Sequence, residues 1–185
     1  MPNFGDETAG GDTFPGTPDR AVLSKFTLTE NGTITSITVR FDAASTSGNN
    51  FKGLIYAADG AAGIPGTRKA IGASVAVPAG GGNLQSDVSP GVDLVAGDYW
   101  LGSVTSDSNP TWQCDVSGDL SRMEGCTFAS PPTPWTESGT SVARCNVFAT
   151  YSTAAGATIF GYSESLIRKL ARVLRPRVFK PGRAR

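Results

Sequence analysis

The chain has 185 residues, with 16 Lys+Arg against 16 Asp+Glu, no His, and a formal net charge of zero. Without an imidazole there is no Ser-His-Asp or Cys-His catalytic pair and no His-ligated zinc or haem, and three Cys cannot make a four-thiolate metal site. Charged residues are only 17%, while 23 Gly and 12 Pro punctuate the chain, a composition of short strands and turns rather than of a helical bundle.

The length suits one domain with a short appendage and is enough to bury a core without disulfides or metals. No apolar run approaches the roughly 18 residues of a membrane-spanning helix. The opening Met1-Pro2-Asn3-Phe4-Gly5-Asp6 carries neither a basic start nor an apolar stretch, so no secretory signal is visible and synthesis in the cytoplasm is expected. The zero net charge is a cancellation. Residues 1–155 hold 8 basic and 15 acidic side chains, a net of −7, whereas residues 156–185 hold 8 basic side chains and Glu164 alone, a net of +7. Such asymmetry marks an interaction arm without naming its partner.

In chain order, residues 1–19 read as an N-terminal arm, 20–155 as one β module, and 156–185 as a basic C-terminal helix and extension. Turn signals recur every eight to twelve residues, the spacing of an antiparallel sandwich or barrel. Strands are expected over 21–29, 33–42, 51–57, 70–77, 84–88, 97–104, 111–116, 123–128 and 142–151. The alternation is cleanest at Ile37, Val39 and Phe41, which share one face at the period of two that a half-buried strand needs. Asn31-Gly32 tolerates positive φ and is expected to turn a type I′ hairpin; with Thr33 it also spells a glycosylation sequon, read here as a plain turn. Gly63-Ile64-Pro65-Gly66 and Pro78-Ala79-Gly80-Gly81-Gly82 are loops, and Pro131-Pro132-Thr133-Pro134 is a stiff extended connector.

Three stretches carry a family resemblance: Gly32-Thr33-Ile34-Thr35-Ser36-Ile37; Lys52-Gly53-Leu54-Ile55-Tyr56 followed by Gly63-Ile64-Pro65-Gly66-Thr67; and Leu94-Val95-Ala96-Gly97-Asp98-Tyr99-Trp100-Leu101. In this order they resemble a jelly-roll-like β-sandwich module of phage structural proteins and of bacterial surface or secreted proteins. The match covers about residues 20–151 and leaves out the basic tail. The resemblance implies two antiparallel sheets, a role in attachment, display or glycan contact, and no catalytic residues.

Tyr99 and Trp100 are adjacent, so in a strand one points inward and the other outward. The outward ring, with Trp112 or Trp135, is a candidate glycan platform, the alternative for each being the core. Asp87, Asp93, Asp98, Asp107, Asp115 and Asp119 fall in or near loops. They lack the D-x-D-x-D-G spacing of a calcium loop and read as turn residues, so no metal or cofactor is expected. Cys114 and Cys126 sit on neighbouring expected strands, either as a cross-strand disulfide or, with Cys145, as buried free thiols. Lys25, Arg40, Lys52, Arg68 and Lys69 read as solvated surface.

In the tail, Ser163-Glu164 looks like a helix start. Leu166, Leu170, Val173 and Leu174 form an apolar stripe beside Ile167, while Arg168, Lys169, Arg172 and Arg175 take the other faces. Pro176 should end the helix, leaving Arg177 and Lys180 in a basic extension. The stripe requires apolar burial, so these residues are assigned to anchoring on a partner rather than on nucleic acid or a membrane. The expected fold class is therefore all-β: an antiparallel jelly-roll-like β-sandwich with a short C-terminal amphipathic helix and basic arm. The expected role is non-enzymatic, in a virion after synthesis in the host cytoplasm. It is a head-associated decoration protein bound to other virion structural proteins as a homo-oligomer or symmetric assembly. The alternative is a tail or fibre module that binds a host-surface glycan.

Overall fold

The computed structural model describes residues 1–107, 110–116, 121–136 and 139–153. Met1–Thr153 form a compact unit. The strands are β1 (Asn3–Gly5), β2 (Asp12–Pro15), β3 (Arg20–Leu28), β4 (Gly32–Phe41), β5 (Asn49–Ala57), β6 (Arg68–Ile71), β7 (Val75–Val77), β8 (Gly82–Leu94), β9 (Gly97–Thr105), β10 (Thr111–Asp115), β11 (Ser121–Gly125), β12 (Gly139–Ser141), β13 (Arg144–Cys145) and β14 (Val147–Thr153). They make two seven-stranded antiparallel sheets. In the first, the order is β1-β14-β4-β10-β13, with β2 on β10 and β8 on β4. In the second it is β12-β11-β3-β9-β5-β6, with β7 on β5. The all-β sandwich is as expected.

The helical part of the expected fold class is corrected. Among the described residues no helix reaches seven residues, and the one helical piece is the 3₁₀ turn Ala61–Gly63. The fold class is an all-β sandwich, and residues 156–185, on which a helix was expected, lie outside the described residues. Residues 1–19, set apart as an arm, contribute β1 and β2 to the first sheet, where Phe4 enters the core.

Ile37, Val39 and Phe41 share the core face of β4 with Ile34, whose odd spacing from Ile37 is reconciled by a register shift. Residues 88–91 of β8 stand opposite Thr35 alone, a bulge that absorbs Pro90 and carries β8 past its expected end at Val88. The expected strand 70–77 is two strands, because the chain leaves β5 after Gly72, whose N–H still donates to the Gly53 carbonyl, and the Ala73 N–H donates instead to the Asp87 carbonyl of β8. The type I′ hairpin at Asn31-Gly32 is absent. β3 and β4 lie in different sheets, Gly32 is not at positive φ, and the Asn31 side chain accepts from the Ala96 N–H at 2.8 Å. Gly32 is needed for closeness instead, since a Cβ there would meet the Tyr151 ring at 2.3 Å.

The main core lies between the sheets around Ile34, Ile37, Phe41, Phe51, Leu101, Trp112 and Val147. Ser86 ties the layers: its hydroxyl accepts from the Gly53 N–H of β5 (3.1 Å) and donates to the Ala73 carbonyl (2.6 Å). A second apolar cluster covers the outer face of the second sheet, joining Ala21, Leu23, Leu54, Tyr56, Trp100, Val104 and Trp135, with Cys126 and Phe128 against it. The segment 126–136 forms its cover. Within this cover the Pro132 carbonyl accepts from Tyr56 Oη (2.6 Å), the Phe128 carbonyl from Lys52 Nζ (3.1 Å), and the Trp135 N–H donates to Gly66 (3.2 Å). The proline run thus acts as a lid, its stiffness suited to lying flat without strand pairing. This lid explains why β9 is buried on both faces.

Candidate functional site

A cleft of about 630 Å³ opens beside β3, within the size range of small-ligand sites. Its position follows from the pairing. β11 covers the β3 edge from Arg20 to Leu23, and beyond Leu23 no described strand pairs with that edge. Lys25 and Thr27 alternate on the outer face and stand opposite Trp100 and Asp98 of β9. Arg122 enters from β11, Arg144 from β13, and Gly63 from the loop after β5. Three of the eight basic side chains of an acidic body therefore converge on one cleft.

Each of these groups is held. Lys25 Nζ lies 2.8 Å from Asp98 Oδ2, and Thr27 Oγ1 donates to Asp98 Oδ1 at 2.7 Å. The Lys25 ammonium, with help from Thr27, holds the Asp98 carboxyl below its usual range. This pair is substantially solvated, so it positions Lys25 more than it stabilises the fold. Trp100 Nε1 donates to the Gly63 carbonyl at 3.0 Å, and the Arg122 guanidinium lies 5.8 Å from the Trp100 ring centre. Arg144 bridges to the buried Asp6 at 2.8 Å and stands 5.9 Å from the Phe26 ring. Planar guanidinium groups with an indole edge and hydroxyls between them can bind a carboxylate- or sulfate-bearing ligand. Among the described residues Asp98 is the single carboxylate lining the cleft and is already paired with Lys25, so the described residues do not assemble the two-acid arrangement of glycoside hydrolysis there.

The structure places the sequence-selected residues differently. Tyr99 is the inward ring of its pair and Trp100 the outward one, but Trp100 is 4% exposed beneath the second cluster. Trp112 is 1% exposed in the main core, where its Nε1 donates to Ser103 Oγ at 2.8 Å. Trp135 is 6% exposed and packs edge-on against Tyr56. None presents a free indole face, so the three do not form a stacking platform, and only the edge of Trp100 reaches a cleft. Leu166, Ile167, Arg168, Lys169, Leu170, Arg172, Val173, Leu174, Arg175, Arg177 and Lys180 lie outside the described residues. Among the described residues no cluster of metal-ligating side chains occurs, and no helix is long and apolar enough to cross a membrane.

Sequence reading assigned Lys25 to solvated surface and passed over Arg122 and Arg144. Period-two alternation puts Lys25 and Thr27 on one face, but their meeting with Asp98, Trp100 and Arg122 depends on strand register, which no local signal encodes. Compared with protein-family models, curated proteins and solved structures, the chain matches none.

Proposed function

We propose that this chain is a phage virion structural protein, a head-associated decoration module whose β-sandwich is displayed and whose basic C-terminal segment ties it to neighbouring virion subunits. The observation that carries this reading is the division of charge, −7 over residues 1–155 and +7 over 156–185. The internal economy of the body supports it. Apolar clusters already lie on both faces of the second sheet, and among the described residues the exposed large apolar side chains Met1, Val95, Val116 and Val142 are scattered along the chain. A body of this kind has little apolar surface to spend on a permanent interface, so attachment falls to the segment of opposite charge. The resemblance to the jelly-roll-like module points the same way. The test is reversal of Arg168, Lys169, Arg172 and Arg175 to Glu in the full chain. The variant should fold with an unchanged melting midpoint yet be missing from purified particles; normal incorporation overturns the reading.

The cleft favours a second reading, a tail- or fibre-associated module that attaches to a host-surface glycan. Its cations suit an acidic sugar. Binding on an array of uronate, sulfated and neutral glycans should be confined to acidic members and be lost in Lys25→Ala. An array with no binder overturns this reading.

A further inference from the structure

The three thiols fall into two environments. Cys126, half-buried at the start of the lid segment, packs against the cluster on the outer side of the second sheet. Cys114 and Cys145 are direct partners across β10 and β13 in the first sheet. This separates Cys114 from Cys126, the pair that sequence spacing suggested.

The local hydrogen bonding defines the kind of pairing. The Asn146 N–H donates to the Gln113 carbonyl at 3.1 Å. That bond joins the residues flanking the cysteines, so Cys114 and Cys145 occupy a non-hydrogen-bonded position of the ladder. The Cys145 N–H turns away and donates to Ser24 Oγ at 2.9 Å. At such positions antiparallel Cα atoms approach to about 4.5 Å and the side chains come closest, at the near end of the roughly 4.4–6.8 Å span that a disulfide bridges. Both side chains point to the same face, as directly opposed residues must. It is the core face, since Cys145 and Trp112, two residues before Cys114, belong to the main core. Both thiols are free and buried. Burial, then the neighbouring Cys114, pushes the Cys145 thiol up to about 12; burial, then Asp12 and Asp115, pushes Cys114 up to about 11.

We propose that Cys114 and Cys145 are a modification site, a reversible cross-strand disulfide formed by thiol–disulfide exchange with a small-molecule disulfide. The Cys114 thiolate attacks one sulfur of the oxidant, breaking its S–S bond and releasing one thiol. The Cys145 thiolate then attacks the Cys114 sulfur of the mixed disulfide and releases the second thiol. The two cysteine protons end on the two released thiols, and the two electrons lost by the cysteines reduce the oxidant. The bond would fasten β13 to β10 where the chain passes from pairing with β10 to pairing with β4 through β14. It would also close the loop that contains the lid. Because both sulfurs are buried and hold their protons tightly, exchange requires local opening of the two-residue β13 or occurs during folding. That the staple closes on leaving a reducing cytoplasm rests on the virion reading; the bond itself does not.

The full chain, unfolded and refolded in a reduced/oxidised glutathione buffer, is alkylated under denaturing conditions and mapped by mass spectrometry. The expected product has lost two hydrogens, keeps Cys126 as its one alkylated cysteine, and yields a Cys114–Cys145 cross-linked peptide. Cys126→Ser should form the same bond, whereas Cys114→Ser and Cys145→Ser should not. The oxidised chain should unfold at higher denaturant than the reduced chain, and dithiothreitol should abolish the difference. A bridge that includes Cys126, or three alkylated thiols after refolding in oxidised glutathione, overturns the proposal. Either result leaves the particle-incorporation test of the virion reading untouched.

Discussion

Trp135→Ala probes whether the second cluster is a separable unit. The Trp135 ring is buried against Tyr56, with ring centres 5.3 Å apart and planes at 75°, and it belongs to the outer cluster rather than the main core. A buried tryptophan removes about 200 Å² from water, worth about 5 kcal/mol at 25 cal/mol per Å². Truncations of this kind cost about 3–5 kcal/mol. Trp135 Nε1 has no acceptor among the described residues, so deleting it returns about 1 kcal/mol. The net loss is about 3 kcal/mol, and it belongs to closure of the lid. At 1.4 kcal/mol per decade, the open-lid population should rise by about two orders of magnitude. The assay is the reaction rate of Cys126 with an aromatic disulfide reagent at fixed pH. That thiol is half-buried at the start of the lid, where burial pushes it up to about 11, and the rise in its labelling reports lid opening when reclosing is fast. Cys114 and Cys145 should stay protected, and the main thermal transition should shift by only a few degrees. The reasoning is refuted if Cys126 speeds up less than tenfold, or if all three thiols become reactive together as the main transition falls.

Ser86→Ala should destabilise the sandwich by about 2 kcal/mol, because it orphans the buried Gly53 N–H and the Ala73 carbonyl that this hydroxyl joins across the layers; urea unfolding with an unchanged slope would measure it. Asp6 connects the N-terminal residues to Arg144. Burial raises its pKa, but hydrogen bonds from the Thr8 hydroxyl and N–H and the Arg144 guanidinium outweigh that and leave it lowered. Its stabilisation is therefore complete above the unfolded value of 3.8 and is lost as pH falls through the lower folded value. Asp6→Asn should lower the melting midpoint at pH 7 and flatten its decline in acid; an unchanged acid limb would show that this carboxylate does not couple to folding.

Much of the fold was legible because its signals are local. Alternating residues such as Ile37, Val39 and Phe41 declare a half-buried strand, and the triple glycine at 80–82 turns with all three residues at positive φ. The misreadings were of partnership. Asn31-Gly32 has hairpin chemistry, but the flanking strands enter different sheets, and Gly32 is held by the Tyr151 ring. Strands of two or three residues, such as β1, β12 and β13, have no periodicity to read.

By itself, the sequence determined the absence of imidazole chemistry, the all-β composition, and an acidic body with a basic end, since composition and charge do not depend on conformation. Only the tertiary structure decided which side chains meet. It buried three tryptophans that adjacency alone left free to face solvent, and gathered Lys25, Arg122 and Arg144 at one β3 edge. It also set Cys145 rather than Cys126 opposite Cys114. The physical reason is register: in an antiparallel sheet a one-residue slip moves every side chain to the other face, and what fixes register is the packing of the whole core, which no single stretch of the chain contains.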